Sequence, residues 1–343
     1  ILSISLIITS CEQDPVTPPS HDPGPGIIDS NLFDWDVDTL FQDMCSPSVF
    51  IADTNLMYIP TSFYFIKIYN KKVTYKSYQD NDFVGMCISG TDMNNMFIGG
   101  NSYSQFKKSK LKYFNGISLK DISLPNDSSG RIFSFLVISL NDIWMSTQTS
   151  IVYRYFNQTI FTYKVTGIEG LVLPGVMFKD INGNVMLNIS SVIPNQYGSC
   201  YLYNFKFENE KFVKVSKDSI NQDWELRFRT GYCDNSDKGI LYSGKSALYY
   251  FNESYWEKYI PINQNIYGIL RGSAINQQNV LFVGNEDNQS YFYYYNGSKL
   301  FRTAEWIPSY PGLETMQNKF GRFYILTAQD WRGNSFLCAS KFK

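Results

Sequence analysis

Apolar and polar positions alternate along short stretches of this chain, and the stretches come in pairs joined at an asparagine. The clearest pairs are "LKYFNGISLKDISLP" from Leu111, "YRYFNQTIFTYKV" from Tyr153, "YYFNESYWEKYIPI" from Tyr249 and "FYYYNGSKLFRTAEW" from Phe292. Degenerate copies start at Phe63 and Tyr203. Alternation with period two places one side of a strand inward and the other outward, so each pair predicts a β-hairpin. Asparagine and glycine tolerate positive φ, which a tight type I′ turn requires. Asn115-Gly116 and Asn296-Gly297 are the clean examples of that turn chemistry, and Asn252-Glu253 is read as the turn of the Tyr249 copy.

The turn asparagines Asn70, Asn115, Asn157, Asn209, Asn252 and Asn296 stand 42 to 52 residues apart. Upstream of the hairpins lies a further short strand, as in "NMFIGG" (Asn95), "DIWMST" (Asp142), "NVMLNI" (Asn184), "GILYSG" (Gly239) and "NVLFVG" (Asn279). Apolar runs such as "RIFSFLVISL" (Arg131) and "YGILRGSAI" (Tyr267) precede these. Four strands in a repeat of roughly 45 residues are the signature of a propeller blade. "GRFYILT" (Gly321) and "NSFLCASKF" (Asn334) supply second and third strands of a last blade that lacks a fourth. The strand-like "NLFDWDVDTLF", Asn31 to Phe41, has no blade of its own. Pairing it with the last blade removes the exposed edges that an open ring would leave. The expectation is an all-β fold over 31–343, a β-propeller of seven four-stranded blades with the N-terminal strand closing the last.

These units resemble the kelch-like and WD-type propeller families. Gly99-Gly100 after "NMFI" is similar to the kelch double glycine, and Tyr250, Asn252 and Trp256 to the tyrosine–turn–tryptophan spacing of a kelch blade. The resemblance implies an architecture and leaves the activity open.

Composition narrows the chemistry. Aromatic residues make up 17% of the 343 residues, in keeping with β-structure. A formal net charge of −1 offers no electrostatic basis for a nucleic-acid partner. The single histidine, His21, lies in a proline-rich stretch, so the folded part lacks imidazole for Ser-His-Asp or Cys-His catalysis and for metal ligation. The six cysteines are scattered with no CxxC pair, and buried thiols are the expected state. No cofactor, metal constellation or catalytic set is expected.

The opening "ILSISLIITSCEQD" is uncharged and apolar up to Cys11 apart from Ser and Thr. Residues 1–10 resemble the end of a bacterial signal peptide, and Ile8-Thr9-Ser10-Cys11 resembles a lipobox. That resemblance implies a lipidated Cys11 and an outer-membrane lipoprotein of the cell envelope, on its periplasmic side or at the cell surface. Residues 11–30 then form a tether, with five prolines between Glu12 and Gly26.

A binding site is expected in the connections that share one end of the blades. These carry Trp224, Trp306, Trp331, Tyr103, Tyr197 and Tyr310 beside Asn, Gln and Asp, a composition suited to a protein hot spot or a sugar ring. Arg227, Arg229 and Arg271, on strands expected near the channel, suit a carboxylate or phosphate. Trp144 and Trp256 are expected in the core. The function expected is a membrane-anchored, non-enzymatic propeller that binds a protein or glycan through its loops. The alternative is a glycan-active hydrolase or lyase using Asp/Glu, Tyr and Arg at the channel mouth.

Overall fold

The computed structural model of the chain describes residues 27 to 342, apart from 30–31, 42–47, 63, 79, 106, 126–129, 181, 194–199, 220–240, 244–246, 253–254, 262–265, 277–278, 287–288, 306–312, 320–321 and 328–333. Every regular element among them is a strand. β1 (Ile27–Asp29) and β2 (Phe33–Phe41) come first. A first sheet follows from β3 (Phe50–Asp53), β4 (Leu56–Pro60), β5 (Tyr64–Tyr69) and β6 (Lys72–Ser77), paired in that order. The second is β7 (Phe83–Asp92), β8 (Asn95–Ser102), β9 (Ser109–Phe114) and β10 (Leu119–Ile122). The third is β11 (Ile132–Ser139), β12 (Asp142–Thr147), β13 (Ile151–Phe156) and β14 (Thr159–Lys164). In the fourth, β15 (Leu171–Val172) and β16 (Val176–Lys179) share β17 (Val185–Val192), and β18 (Cys200–Glu208) and β19 (Lys211–Ser219) follow.

A fifth sheet is described by three strands, β20 (Leu241–Ser243), β21 (Ala247–Asn252) and β22 (Tyr255–Pro261). The sixth is β23 (Tyr267–Asn276), β24 (Asn279–Glu286), β25 (Gln289–Tyr295) and β26 (Leu300–Glu305), with β1 added beside β26. The seventh is β27 (Leu313–Lys319), β28 (Arg322–Thr327) and β29 (Asn334–Phe342), with β2 as its fourth strand.

The fold is an all-β β-propeller. Five sheets, rather than the seven expected, are whole blades of four consecutive strand positions: the first four and the sixth. The fifth has three described strands, and residues 220–240 before it lie outside the description. The seventh borrows its fourth strand from the other end of the chain, with Phe33 opposite Phe342 and Phe41 opposite Asn334. That closing pair is the one the unpartnered N-terminal strand predicts.

The second strands explain why the apolar runs do not simply alternate. Both faces of a blade are covered by neighbouring blades, so both sets of side chains are buried. In β12, Ile143 and Met145 pack with Phe97 and Leu111 of the second blade, while Trp144 packs with Met177, Leu187 and Tyr203 of the fourth. In β4, Leu56 and Tyr58 join Phe83 and Ile98 of the second blade. Met57 and Ile59 join Tyr324 of the seventh sheet instead. Phe33 of β2 meets Tyr294 of the sixth sheet edge-on at 5.4 Å. Gly99 and Gly100 sit where neighbours come too close for a Cβ, which would lie 2.5 Å from Ile132 and 1.8 Å from the Val84 carbonyl oxygen. Trp144 is buried in this core, as expected. Cys87, too, is a buried free thiol, and burial pushes its pKa well up. Trp256 lies on β22.

Strand polarity divides the propeller into two faces. First-to-second and third-to-fourth turns lie at one end, here the turn face: Asn70 N–H donates to the Asn55 carbonyl and Asn157 N–H to that of Asn141. Second-to-third loops and the connections between blades lie at the other end, the loop face.

The turn chemistry is the reverse of the expectation. The two-residue turns with positive φ at both positions are Asn70-Lys71, Asn157-Gln158 and Asn209-Glu210. The Asn-Gly sites are four-residue loops, with Phe114 opposite Leu119 and Tyr295 opposite Leu300. There only the glycine has positive φ, +87° at Gly116 and +91° at Gly297. Asn115 Oδ1 instead accepts from the N–H groups of Ile117 and Ser118, and Asn296 Oδ1 from those of Ser298 and Lys299. A side chain that caps a loop in this way competes with the tight turn. Asn252 is still in β21, opposite Tyr255, and Glu253, the other residue of the expected turn, lies outside the described residues.

Candidate protein-binding face

The second blade carries the best-defined part of the loop face. β8 ends at Ser102 and β9 begins at Ser109, and the loop between them projects Tyr103, which is 53% exposed. The loop closes on itself: Ser102 N–H donates to the Lys108 carbonyl at 2.9 Å and Lys108 N–H to that of Gln105 at 2.7 Å.

Asp82, in the connection entering the blade, holds this loop from beneath. Its carboxylate accepts the Ser102 hydroxyl at 2.8 Å and the Ser104 N–H at 2.6 Å, and its carbonyl accepts the Tyr103 N–H at 2.9 Å. Lys110 Nζ bridges Asp80 at 2.9 Å and Asp82 at 3.0 Å. Hydrogen bonds from the Ser104 hydroxyl and N–H, then from Ser102, hold the Asp82 carboxyl well below the usual carboxylate range. Burial opposes ionisation of Asp80, but bonds from Lys110 and the Asp82 N–H outweigh it and lower its pKa too. The nearly buried Lys112 continues the network, 2.6 Å from Asp121 and 3.5 Å from Asp80. The result is a fixed platform under an outward aromatic ring, with Lys107 and Lys108 exposed beside it.

The first blade adds Tyr64, 41% exposed at the start of β5. Its N–H donates to Thr61 Oγ1, which donates back to the Tyr64 carbonyl, both at 2.9 Å. The connection into the fourth blade adds Leu171, 64% exposed beyond Gly167 and Gly170, which have positive φ. There Lys217 pairs with Glu169 at 2.7 Å and lies over the Tyr201 ring.

Of the residues nominated from sequence, Tyr103 stands on this face. Arg271 lies on β23, the first strand of the sixth blade, opposite Val283. Cys11, Tyr197, Trp224, Arg227, Arg229, Trp306, Tyr310 and Trp331 lie outside the described residues. Sequence reasoning missed Tyr64 and Leu171. Tyr64 sits inside a strand-like run, and its exposure at the run's first position has no local signal. The glycines at 167 and 170, flanking "IE", were the available hint for Leu171. Among the described first strands, β3, β7, β11 and β16 carry charge only at their turn-face ends, at Asp53, Asp92 and Lys179, whereas β23 carries Arg271 and β27 carries Glu314 and Lys319.

No family model and no curated protein matches the chain. Solved structures do. YCF48 from Cyanidioschyzon merolae is 13% identical over 88% of this chain and 98% of its own, with a TM-score of 0.62. A structure of YCF48 bound to D1 peptide is 13% identical over 93% and 100%, with a TM-score of 0.64. The WD40 β-propeller domain of Doa1 is 7% identical over 90% and 97%, with a TM-score of 0.56. At such identities the likeness is one of fold.

Proposed function

We propose that this protein is a non-enzymatic scaffold that captures a protein segment on its loop face. The observation that carries the reading is the Asp82 clamp: a loop fixed by its own hydrogen bonds presents Tyr103 outward. An aromatic side chain on a loop whose backbone is already fixed loses less entropy on binding than one on a free loop, which suits an interface anchor. Tyr64 and Leu171 extend the same face with further apolar contact area. The resemblance in fold to a YCF48 structure with a bound peptide supports a peptide-binding use of such a propeller.

The proposal includes a ring of seven blades, with β2 completing the seventh. It also includes lipidation at Cys11 and attachment to the bacterial cell envelope through the 11–30 tether.

The test is to pan a random peptide display library against the full chain. Recovered peptides should bind Tyr103→Ala at least tenfold more weakly, since an anchor contributes more than about 1.4 kcal/mol. They should bind Ile117→Ser, altered on the opposite face, unchanged. Equal binding to all three chains, or glycan-array hits that the protein turns over, would sink the reading.

A further inference from the structure

We infer that the turn face of the propeller lies against a lipid bilayer surface, so that the loop face points away from it. The inference rests on the proposed anchor at Cys11 and adds an orientation to it.

The first argument is where the chain enters the fold. β1 pairs in parallel with β26, Ile27 opposite Leu300 and Asp29 opposite Arg302. Leu300 is the first residue after the loop at Asn296, so Ile27 enters at the turn-face end of the sixth sheet. β2 likewise starts at that end, with Phe33 opposite Phe342. The tether therefore joins the propeller at its turn face.

Reach alone does not decide orientation. Fifteen residues, the number from Glu12 to Gly26, could reach at most about 45 Å at the rise of an extended proline-rich chain. An eight-residue strand is only about 26 Å long, so the tether is long enough to leave either face against the bilayer.

The second argument is what the turn face exposes. Of the eleven large apolar side chains exposed among the described residues, six stand at this end of the first three blades: Tyr69, Met93, Ile117, Ile138, Leu140 and Phe156. They belong to neighbouring turns of neighbouring blades. Gly116 lies against Asn94 of the adjacent turn. Phe97 of the second blade meets Tyr155 of the third at 5.8 Å. Ile117, 81% exposed, is held outward by a fixed loop, since Asn115 accepts its N–H and Lys76 Nζ donates to its carbonyl. Fixed, outward apolar side chains on a tethered face suit insertion at the headgroup boundary. The exposed Lys71 and Lys72 share this face with the exposed Asp53 and Asp92. Those carboxylates cap the N–H groups of Asn55 and Asn94.

The experiment uses the full chain carrying Cys11→Ser, which removes the anchor and leaves only the face to be measured. The probe is vesicles of mixed phosphatidylethanolamine and phosphatidylglycerol, and binding is read by co-sedimentation. The unanchored chain should partition weakly but measurably. Ile117→Ser and Phe156→Ser should each lower the partition coefficient about fivefold, the loss of one partly inserted side chain. Tyr103→Ser should leave it unchanged. Absence of partitioning, or equal partitioning of all variants, overturns the inference. In cells, release of the otherwise native chain from membranes by Cys11→Ala reports on the anchor alone, so the two readings fail separately.

Discussion

The phenol of Tyr78 donates to the Thr61 carbonyl and accepts from the Thr61 N–H, both at 3.0 Å. Tyr78 lies in the connection between the first and second blades, and Thr61 opens the second-to-third loop of the first. One buried side chain thus fastens two parts of the loop face. Burial, opposed by the bond to Thr61, pushes the phenol well above its usual pKa, so it keeps its donor proton across the stable pH range. Tyr78→Phe should cost about 1–2 kcal/mol, at the low end because Thr61 N–H retains the Tyr64 carbonyl. The urea midpoint measures this; an unchanged midpoint would show the pair to be idle.

The two glycines of β8 should not be equivalent. At Gly99 a new methyl meets the Cγ2 and Cβ of Ile132 and the Phe135 ring, which are side-chain rather than backbone atoms. At Gly100 it meets the Val84 carbonyl, which belongs to a paired strand. Gly99→Ala is predicted to cost about 1–3 kcal/mol and Gly100→Ala more, by overpacking. Calorimetric melting of both variants ranks them, and the reverse order would refute the argument.

The tight turns should be improvable. Gln158 at φ 66° and Glu210 at φ 58° occupy a region that glycine enters without steric cost. Gln158→Gly and Glu210→Gly should each stabilise the protein by about 0.5–1 kcal/mol, net of the entropy that glycine adds to the unfolded chain. Chemical denaturation is the check, and destabilisation by both would count against type I′ geometry.

Asp82 links the loop platform to pH. Its folded pKa is lowered, so its contribution is fully present above the unfolded Asp value near about 4 and declines as pH falls below it. Asp82→Asn should therefore narrow the difference in urea midpoint between neutral and acidic solution. It should also loosen the Tyr103–Lys108 loop, seen as faster amide exchange at Tyr103 and Ser104, whose N–H groups Asp82 accepts. Unaltered exchange there would mean the clamp is not needed.

Much of the architecture was legible without coordinates. Alternation, β-propensity and turn asparagines are local, so they located the hairpins and the four-strand unit, and the unpaired strand at Asn31 to Phe41 announced its role in closing the last blade. Tyr103 was legible as a loop aromatic for the same reason. The turn types were not, because Asn115 can either enter positive φ or cap its neighbours, and the adjacent chain decides between them.

Three things belonged to the tertiary structure alone. Asp82 reaches the Tyr103 loop across twenty residues of sequence, and no local pattern marks that partner. The three residues of β1 take a parallel edge on β26, near the other end of the chain, and so fix the face at which Ile27 enters the fold. The split of β12 between two blades, Trp144 one way and Ile143 with Met145 the other, makes a run of apolar residues into two interfaces. Sequence determines which residues prefer a strand and where the chain turns. Which strands meet depends on contacts between distant segments, formed only when the blades pack face to face.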